Sequence, residues 1–373
     1  VTRWVRTVEA VTELARSLEG CRAIGLDSES DSLYHHFEKV CLLQLATDRG
    51  DAFLVDTLEV RDLSPLAPAL ADSRLVKVLH GADYDVTTLK RDFGFAFASL
   101  FDTMIAARLL GRAEVGLAAV ARDELGVALS KDNQRDDWSR RPLTPRQEAY
   151  AIADVRHLVT LRDRLEEKLR AAGRHGWLRE ECDAVAARAP ASRRRNPDGY
   201  LAVKGARRLA PRSLAALREL HAWREKRAEE TDTPAFRVLG NETLLRLAEA
   251  RPGAADLRAV PGLPARLAER HGRELVDAIG RAEALPEGEL PVVPRAPRPF
   301  VPDSVQRRAA RLKAWRTAKA AELALDSSVV LPQRLVDRLA EAAPRDAAGL
   351  LAVDGLRRWR IEAFGKDMLQ ALR

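Results

Sequence analysis

Cysteine is scarce: Cys21, Cys41 and Cys182 are the three in 373 residues, odd in number and far apart. That spacing excludes a disulfide framework and a cysteine zinc cage, so three reduced, mostly buried thiols are expected. Aromatic residues make up only 5%, and the abundance of Ala, Leu and Arg leans toward helix. No apolar run approaches the ~20 residues that cross a bilayer, and no signal-peptide pattern is present. A cytoplasmic chain with no membrane partner is the expectation.

What is present is charge, unevenly placed. Of 62 Lys and Arg and 55 Asp and Glu, residues 1–184 hold 26 and 31, a net of −5, which leaves a net of +12 for the remainder. An acidic first half suits cations and a basic second half suits a polyanion. The length itself requires two or three domains.

The first half alternates strands with helices. A helical pattern at Val8–Leu18 precedes strand-like runs at Ala23–Leu26, Val40–Ala46, Ala52–Val55 and Leu75–Leu79. The first three runs are spaced as hairpins and the fourth follows a helix-length segment, which implies an α/β domain, a mixed sheet with flanking helices. Helices dominate from Tyr84. Thr144-Pro145-Arg146-Gln147 marks one start, with Thr144 able to cap, Pro145 at the first helical position and Gln147 able to reach back. That helix is expected to run to about Ala171, placing Tyr150 and Asp154 on one face.

Five segments follow: a first domain over 1–184, a basic linker over 185–212, a helical domain over 213–285, a Pro-rich linker over 286–303 and a second helical domain over 304–373. The two all-α segments repeat one another. Ala222-Trp223-Arg224 returns 92 positions later as Ala314-Trp315-Arg316, and Leu247-Ala248-Glu249-Ala250 as Leu339-Ala340-Glu341-Ala342. Two copies of one small module explain the ordered matches. Trp223 and Trp315 read as core anchors. Arg237 and Asn241 of the first copy stand against Val329 and Gln333 of the second, which suggests unequal roles in binding nucleic acid.

Asp27 and Glu29 end the first strand run two residues apart, so they leave one face of the strand together. They are either a cap and a solvated neighbour or part of a metal site. Asp85, after the strand ending at His80, and Asp154, behind Tyr150, supply two more carboxylates. Four carboxylates brought together by folding would make an oxygen-rich cage for two divalent cations, Mg²⁺ or Mn²⁺. Such a cage suits phosphodiester hydrolysis. Tyr150, one turn before Asp154, could orient the attacking water.

These residues carry a family resemblance. Gly25-Leu26-Asp27-Ser28-Glu29, His80-Gly81-Ala82-Asp83-Tyr84-Asp85 and Tyr150-Ala151-Ile152-Ala153-Asp154 resemble the three motifs of the DEDD 3′-to-5′ exonucleases of the tyrosine subclass. Leu100-Phe101-Asp102-Thr103-Met104 and Trp138-Ser139-Arg140-Arg141-Pro142-Leu143-Thr144 are similar to the ribonuclease D family in particular, and the repeats resemble HRDC domains. The resemblance implies an RNase H-like fold and hydrolysis from a 3′ end releasing nucleoside 5′-monophosphates. It implies catalytic residues Asp27, Glu29, Asp85, Tyr150 and Asp154, with Asp27, Glu29 and Asp154 on the nucleophile-side metal and Asp27 and Asp85 on the other. It also implies RNA with a single-stranded 3′ end, tRNA precursors among them, as the substrate; a monomer is the expected oligomeric state. The family register favours Asp85 over Asp83 as the ligand. Ser28 replaces the usual threonine, and strand alternation is expected to point its side chain away from the carboxylates. His80 reads as structural, Asp102 as a helix cap and His35-His36 as a polar loop. Trp138 either stacks a base or packs beneath the following helix. Two rivals stay open, a DNA 3′-5′ exonuclease and a catalytically silent RNA-binding adaptor.

Overall fold

The computed structural model describes residues 2–130, 132–193, 196–293 and 301–373. These form two compact units, residues 2–30, 40–191 and 301–373 in one and residues 31–39 and 192–293 in the other. Pro294, Pro297 and Pro299 of the expected tether, and Arg194 and Arg195 of the basic linker, lie outside the described residues.

The first unit contains β1 (Thr2–Val5), α1 (Val8–Ser17), β2 (Ala23–Ser30), β3 (Val40–Thr47), β4 (Ala52–Val55), α2 (Ala67–Ala71), β5 (Val76–Leu79), α3 (Asp83–Phe93), β6 (Leu100–Asp102), α4 (Thr103–Leu109), α5 (Leu117–Leu125), α6 (Pro145–Arg156), α7 (Leu158–Ala171) and α8 (His175–Ala186). The strands form one mixed sheet in the order β1-β4-β3-β2-β5-β6. β2, β3 and β4 are antiparallel neighbours, whereas β1, β5 and β6 pair in parallel. Every residue of β3 is buried, as a central strand covered on both faces requires. The edge strands β1 and β6 escaped the sequence pattern because four and three residues are too few to show a period.

The helix expected from Pro145 to Ala171 is two helices that meet at His157. Its start is as read: Thr144 Oγ1 accepts from Gln147 N at 3.2 Å, and Gln147 Oε1 accepts from Thr144 N at 3.0 Å. The break lies where the helix crosses β2. A Cβ on Gly25 would stand 2.6 Å from the Val155 carbonyl oxygen and 3.1 Å from Leu158 Cβ. Only glycine allows that approach.

The second helical copy is joined to the sheet domain in one unit. Its helices are grouped as α13 (Asp303–Leu323), α14 (Ser327–Val330), α15 (Gln333–Ala342), α16 (Ala347–Leu351) and α17 (Arg358–Leu372), and the first copy's as α9 (Pro211–Glu230), α10 (Ala235–Val238), α11 (Asn241–Ala250) and α12 (Ala265–Glu283). At the junction with α8, the Trp177 and Trp359 rings stack with centroids 4.3 Å apart. Glu180 accepts from the backbone N–H groups of Arg358 and Trp359 at 2.7 and 2.8 Å, and so caps α17 from outside. Glu181 accepts from Trp359 Nε1 at 3.0 Å and from Arg360 Nη1 at 2.6 Å. The arginines beside it hold the Glu181 carboxylate below its ordinary range despite burial. Replacing the 3%-exposed Trp359 with Ala removes both the stack and a hydrogen bond, and is expected to cost about 3–5 kcal/mol. Urea unfolding of the full chain measures it, and a loss below about 1 kcal/mol would show the junction to be incidental.

The second unit contains α9 to α12 around its own core. That core extends upstream into the segment read as linker, because Tyr200, Val203 and Ala206 are buried in it. Trp223 is a core residue, as expected, with Nε1 donating to Glu274 at 2.7 Å. Arg224 donates to Asn241 Oδ1 at 2.6 Å and to the Leu239 carbonyl, and Arg316 makes the matching bonds to Gln333 and Leu331 in the second copy. The Asn241–Gln333 difference is thus absorbed by one internal role. Arg237 lies over the Tyr34 ring at 4.5 Å. His35-His36 is more than a polar loop: His35 Nδ1 and His36 N both bond Asp232, at 2.6 and 3.0 Å.

Candidate active site

Three elements supply the acidic cluster. β2 presents Asp27 and Glu29 on the face that α6 covers, and α6 presents Asp154; one carboxylate oxygen from each lies within 4.8 Å of the others. Asp85 comes from the first turn of α3 and is buried. The start of α3 is fixed by Asp102, whose carboxylate accepts from Gly81 N and Ala82 N at 3.0 and 2.8 Å and, as the cap of α4, from Met104 N and Ile105 N at 2.8 and 3.1 Å. Gly81 holds a left-handed φ of +75° in that turn. Asp83 turns the other way, to Arg188 at 3.0 Å.

Ser28 corrects the expectation from strand alternation. Its side chain is met by the first turn of α3, and Ser28 Oγ donates to Asp85 Oδ1 at 2.5 Å. Ser28 therefore orients the fourth carboxylate. Beside it Ser30 Oγ and Tyr84 Oη lie 2.8 Å apart. Alternation identifies the face of a residue and says nothing of which helix comes to meet it.

The electrostatics of the cluster are uncompensated. Burial, then Asp85, Glu29 and Asp154 in that order, push the Asp27 carboxyl well above its ordinary range. Burial and the neighbouring carboxylates, Asp154 first, push Glu29 to about 9. Burial raises Asp85 and Asp154 to about 6 each, against the hydrogen bonds from Ser28 and Tyr150. Among the described residues no Lys, Arg or His forms an ion pair with any of the four. Tyr150 is raised above its ordinary value, by burial first and then by Asp154 and Glu29, so its hydroxyl stays protonated beside Asp154.

A carboxyl raised on folding keeps a proton that the unfolded chain has released, so stability falls as pH rises from the unfolded value through the folded one. For Glu29 that window runs from its ordinary 4.5 to about 9. In protein stripped of divalent cations, Glu29→Gln is therefore expected to melt with the wild type near about pH 5 and well above it near about pH 9. Mn²⁺ should close that gap by restoring the wild type. Thermal unfolding at several pH values checks it; a gap that stays constant with pH contradicts the charge cluster.

The remaining candidates are structural. Trp138 is 1% exposed, packed against Leu54 and Ile152 with the Tyr150 ring centroid 6.0 Å away, so it supports α6 instead of stacking a base. Arg141 is bound to Asp56 at 2.5 and 2.8 Å and to the Cys41 carbonyl at 2.7 Å. His80 Nδ1 bonds Thr103 Oγ1 at 2.8 Å, and burial lowers its pKa. The cysteines are buried and form no disulfide among the described residues. Sequence reasoning passed over Gln44, which pairs across the sheet with Asp27 and is fully buried with neither amide atom bonded.

Comparison with known proteins gives consistent results over the whole chain. A family model described as a 3′-5′ exonuclease matches residues 2–170, and the HRDC domain model matches residues 213–279 and 305–372. The chain is 34% identical to ribonuclease D of Pseudomonas paraeruginosa over 377 positions, covering 99% of this chain and 97% of that protein. It is 32% identical to ribonuclease D of Acidiphilium cryptum, covering 98% and 92%. The solved structure of Escherichia coli RNase D, described as an exoribonuclease involved in structured RNA processing, superposes with a TM-score of 0.75 at 26% identity, covering 100% of this chain and 98% of that one. No helix among the described residues is long and apolar enough to cross a membrane.

Proposed function

Because the chain belongs to the ribonuclease D family of 3′-to-5′ exoribonucleases, we propose that it trims RNA 3′ ends by releasing nucleoside 5′-monophosphates, with Asp27, Glu29, Asp85 and Asp154 holding two divalent cations, Mg²⁺ or Mn²⁺. The single observation that carries this reading is the convergence of Asp27, Glu29 and Asp154, with Asp85 near enough to raise the first two, and with no cationic side chain paired to any of the four among the described residues. Such a cluster fits a divalent pair, since oxygen donors suit Mg²⁺ or Mn²⁺ and the charge otherwise stays unbalanced. When bound, those cations would make water a nucleophile near neutral pH and stabilise charge on the departing oxygen.

The chain's own residues set up the rest. Asp27 serves both sides of the cluster, flanked by Glu29 and Asp154 on one and by Asp85 on the other. Ser28 fixes the Asp85 carboxylate, and the protonated Tyr150, one turn before Asp154, orients the water. The complete set of carboxylates weighs against a silent adaptor. Stable RNAs such as tRNA precursors, in the cytoplasm, are the substrates we assign. Matched RNA and DNA oligonucleotides in competition test the assignment: RNA consumed first with 5′-monophosphate products supports it, and preferred degradation of DNA overturns it.

A further inference from the structure

Within the first unit a cavity of about 540 Å³ opens between the sheet domain and the second helical copy. Arg108, Arg112, Arg188, Arg334, Arg357 and Arg360 line it, against three carboxylates, Asp83, Glu181 and Asp326. Most of these charges are committed. Arg188 holds Asp83, Arg357 and Arg360 hold Glu181, and Arg112 holds Glu124 from behind the wall. Asp326 is kept ionised chiefly by its bonds from Ser328, with Arg108 adding to the effect from a distance. Arg108 and Arg334, both exposed, make no ion pair or hydrogen bond among the described residues, and the Nε of Arg112 is buried without a partner.

An excess of cationic forks facing one polar cleft favours phosphate over any neutral ligand, since a guanidinium can grip two phosphate oxygens at once. The cleft also lies away from the chemistry. Asp83 and Asp85 leave α3 about 200° apart: the first meets Arg188 at the cleft, whereas the second meets Ser28 at the acidic cluster. A ligand here cannot be the nucleotide being cleaved.

Resting on the proposed ribonuclease activity, we propose that this cleft, built jointly by α4, α8 and the second helical copy, binds backbone phosphates of the RNA body while the 3′ end occupies the acidic site. The second copy then works as a fixed wall of an RNA-binding groove. Phosphate contacts of this kind set affinity and salt dependence without choosing sequence.

The test uses the full chain with Arg108→Gln and Arg334→Gln combined, and with both changed to Lys. Binding of a structured RNA with a single-stranded 3′ tail is measured across salt concentrations in EDTA, beside turnover of a short single-stranded oligonucleotide with Mn²⁺. The Gln pair should weaken binding on the order of tenfold at low salt and flatten the log–log salt slope by roughly 0.7–0.9 per lost contact. It should leave short-oligonucleotide turnover unchanged, and the Lys pair should restore most of the affinity. Unchanged affinity and slope in a folded Gln pair would overturn the proposal, as would equal losses on long and short substrates. A wild-type protein that cleaves no RNA would instead sink the function on which the proposal rests.

Discussion

Asp27→Asn yields a folded protein that binds RNA about as tightly as the wild type and cleaves it at least on the order of a thousand-fold more slowly. Asp27 is the carboxyl whose pKa is pushed up by burial first and then by all three others, Asp85, Glu29 and Asp154. Asparagine keeps its shape but supplies a weak, neutral oxygen, so both sides of the cluster lose a ligand. The same change removes a buried repulsive charge. In EDTA near neutral pH the variant is therefore expected to melt at or above the wild-type temperature. Single-turnover cleavage beside thermal unfolding separates the two effects. A variant that unfolds, or that loses RNA affinity along with turnover, would make Asp27 a structural residue.

Gly25→Ala strikes the same site through the backbone. The added methyl would stand 2.6 Å from the Val155 carbonyl oxygen, well inside contact distance, and the obstacle is backbone that cannot rotate away. The junction of α6 and α7 has to lift from β2, carrying Asp154, one residue before Val155, with it. Overpacking of this kind costs roughly 1–3 kcal/mol, and a displacement near 1 Å at a catalytic group costs on the order of a hundredfold in rate. The expected variant is thus less stable, in contrast to Asp27→Asn, and nearly inactive. Urea unfolding with steady-state cleavage checks both; wild-type turnover would mean that α6 is not positioned by this contact.

The acidic cluster was legible because its parts obey short-range rules. Two-residue spacing put Asp27 and Glu29 on one face, four-residue spacing put Tyr150 beside Asp154, and a capping box located the start of α6. Asp102 announced itself as a cap in the same way. What could not be read depends on elements meeting across the fold. Ser28 reaches Asp85 only because the first turn of α3 is brought to the end of β2 by folding. The break at His157 follows from the crossing at Gly25, with no breaker residue at the break itself. The second helical copy looked like a tethered module, whereas Glu180, Glu181 and Trp177 of α8 hold it to the sheet domain through contacts some 180 residues apart in the chain. Its charged partners, Arg357 and Arg360, read in sequence as ordinary basic residues.

The central claim is that this acidic cluster performs metal-dependent hydrolysis from the 3′ end, and cleavage of a 5′-labelled single-stranded RNA tests it most directly. With Mg²⁺ or Mn²⁺ the wild type should give a ladder of labelled products shortening by single nucleotides, and EDTA should abolish it. Products that begin as internal fragments, a ladder that survives EDTA, or intact RNA under every metal condition with a folded, RNA-binding protein would contradict the account.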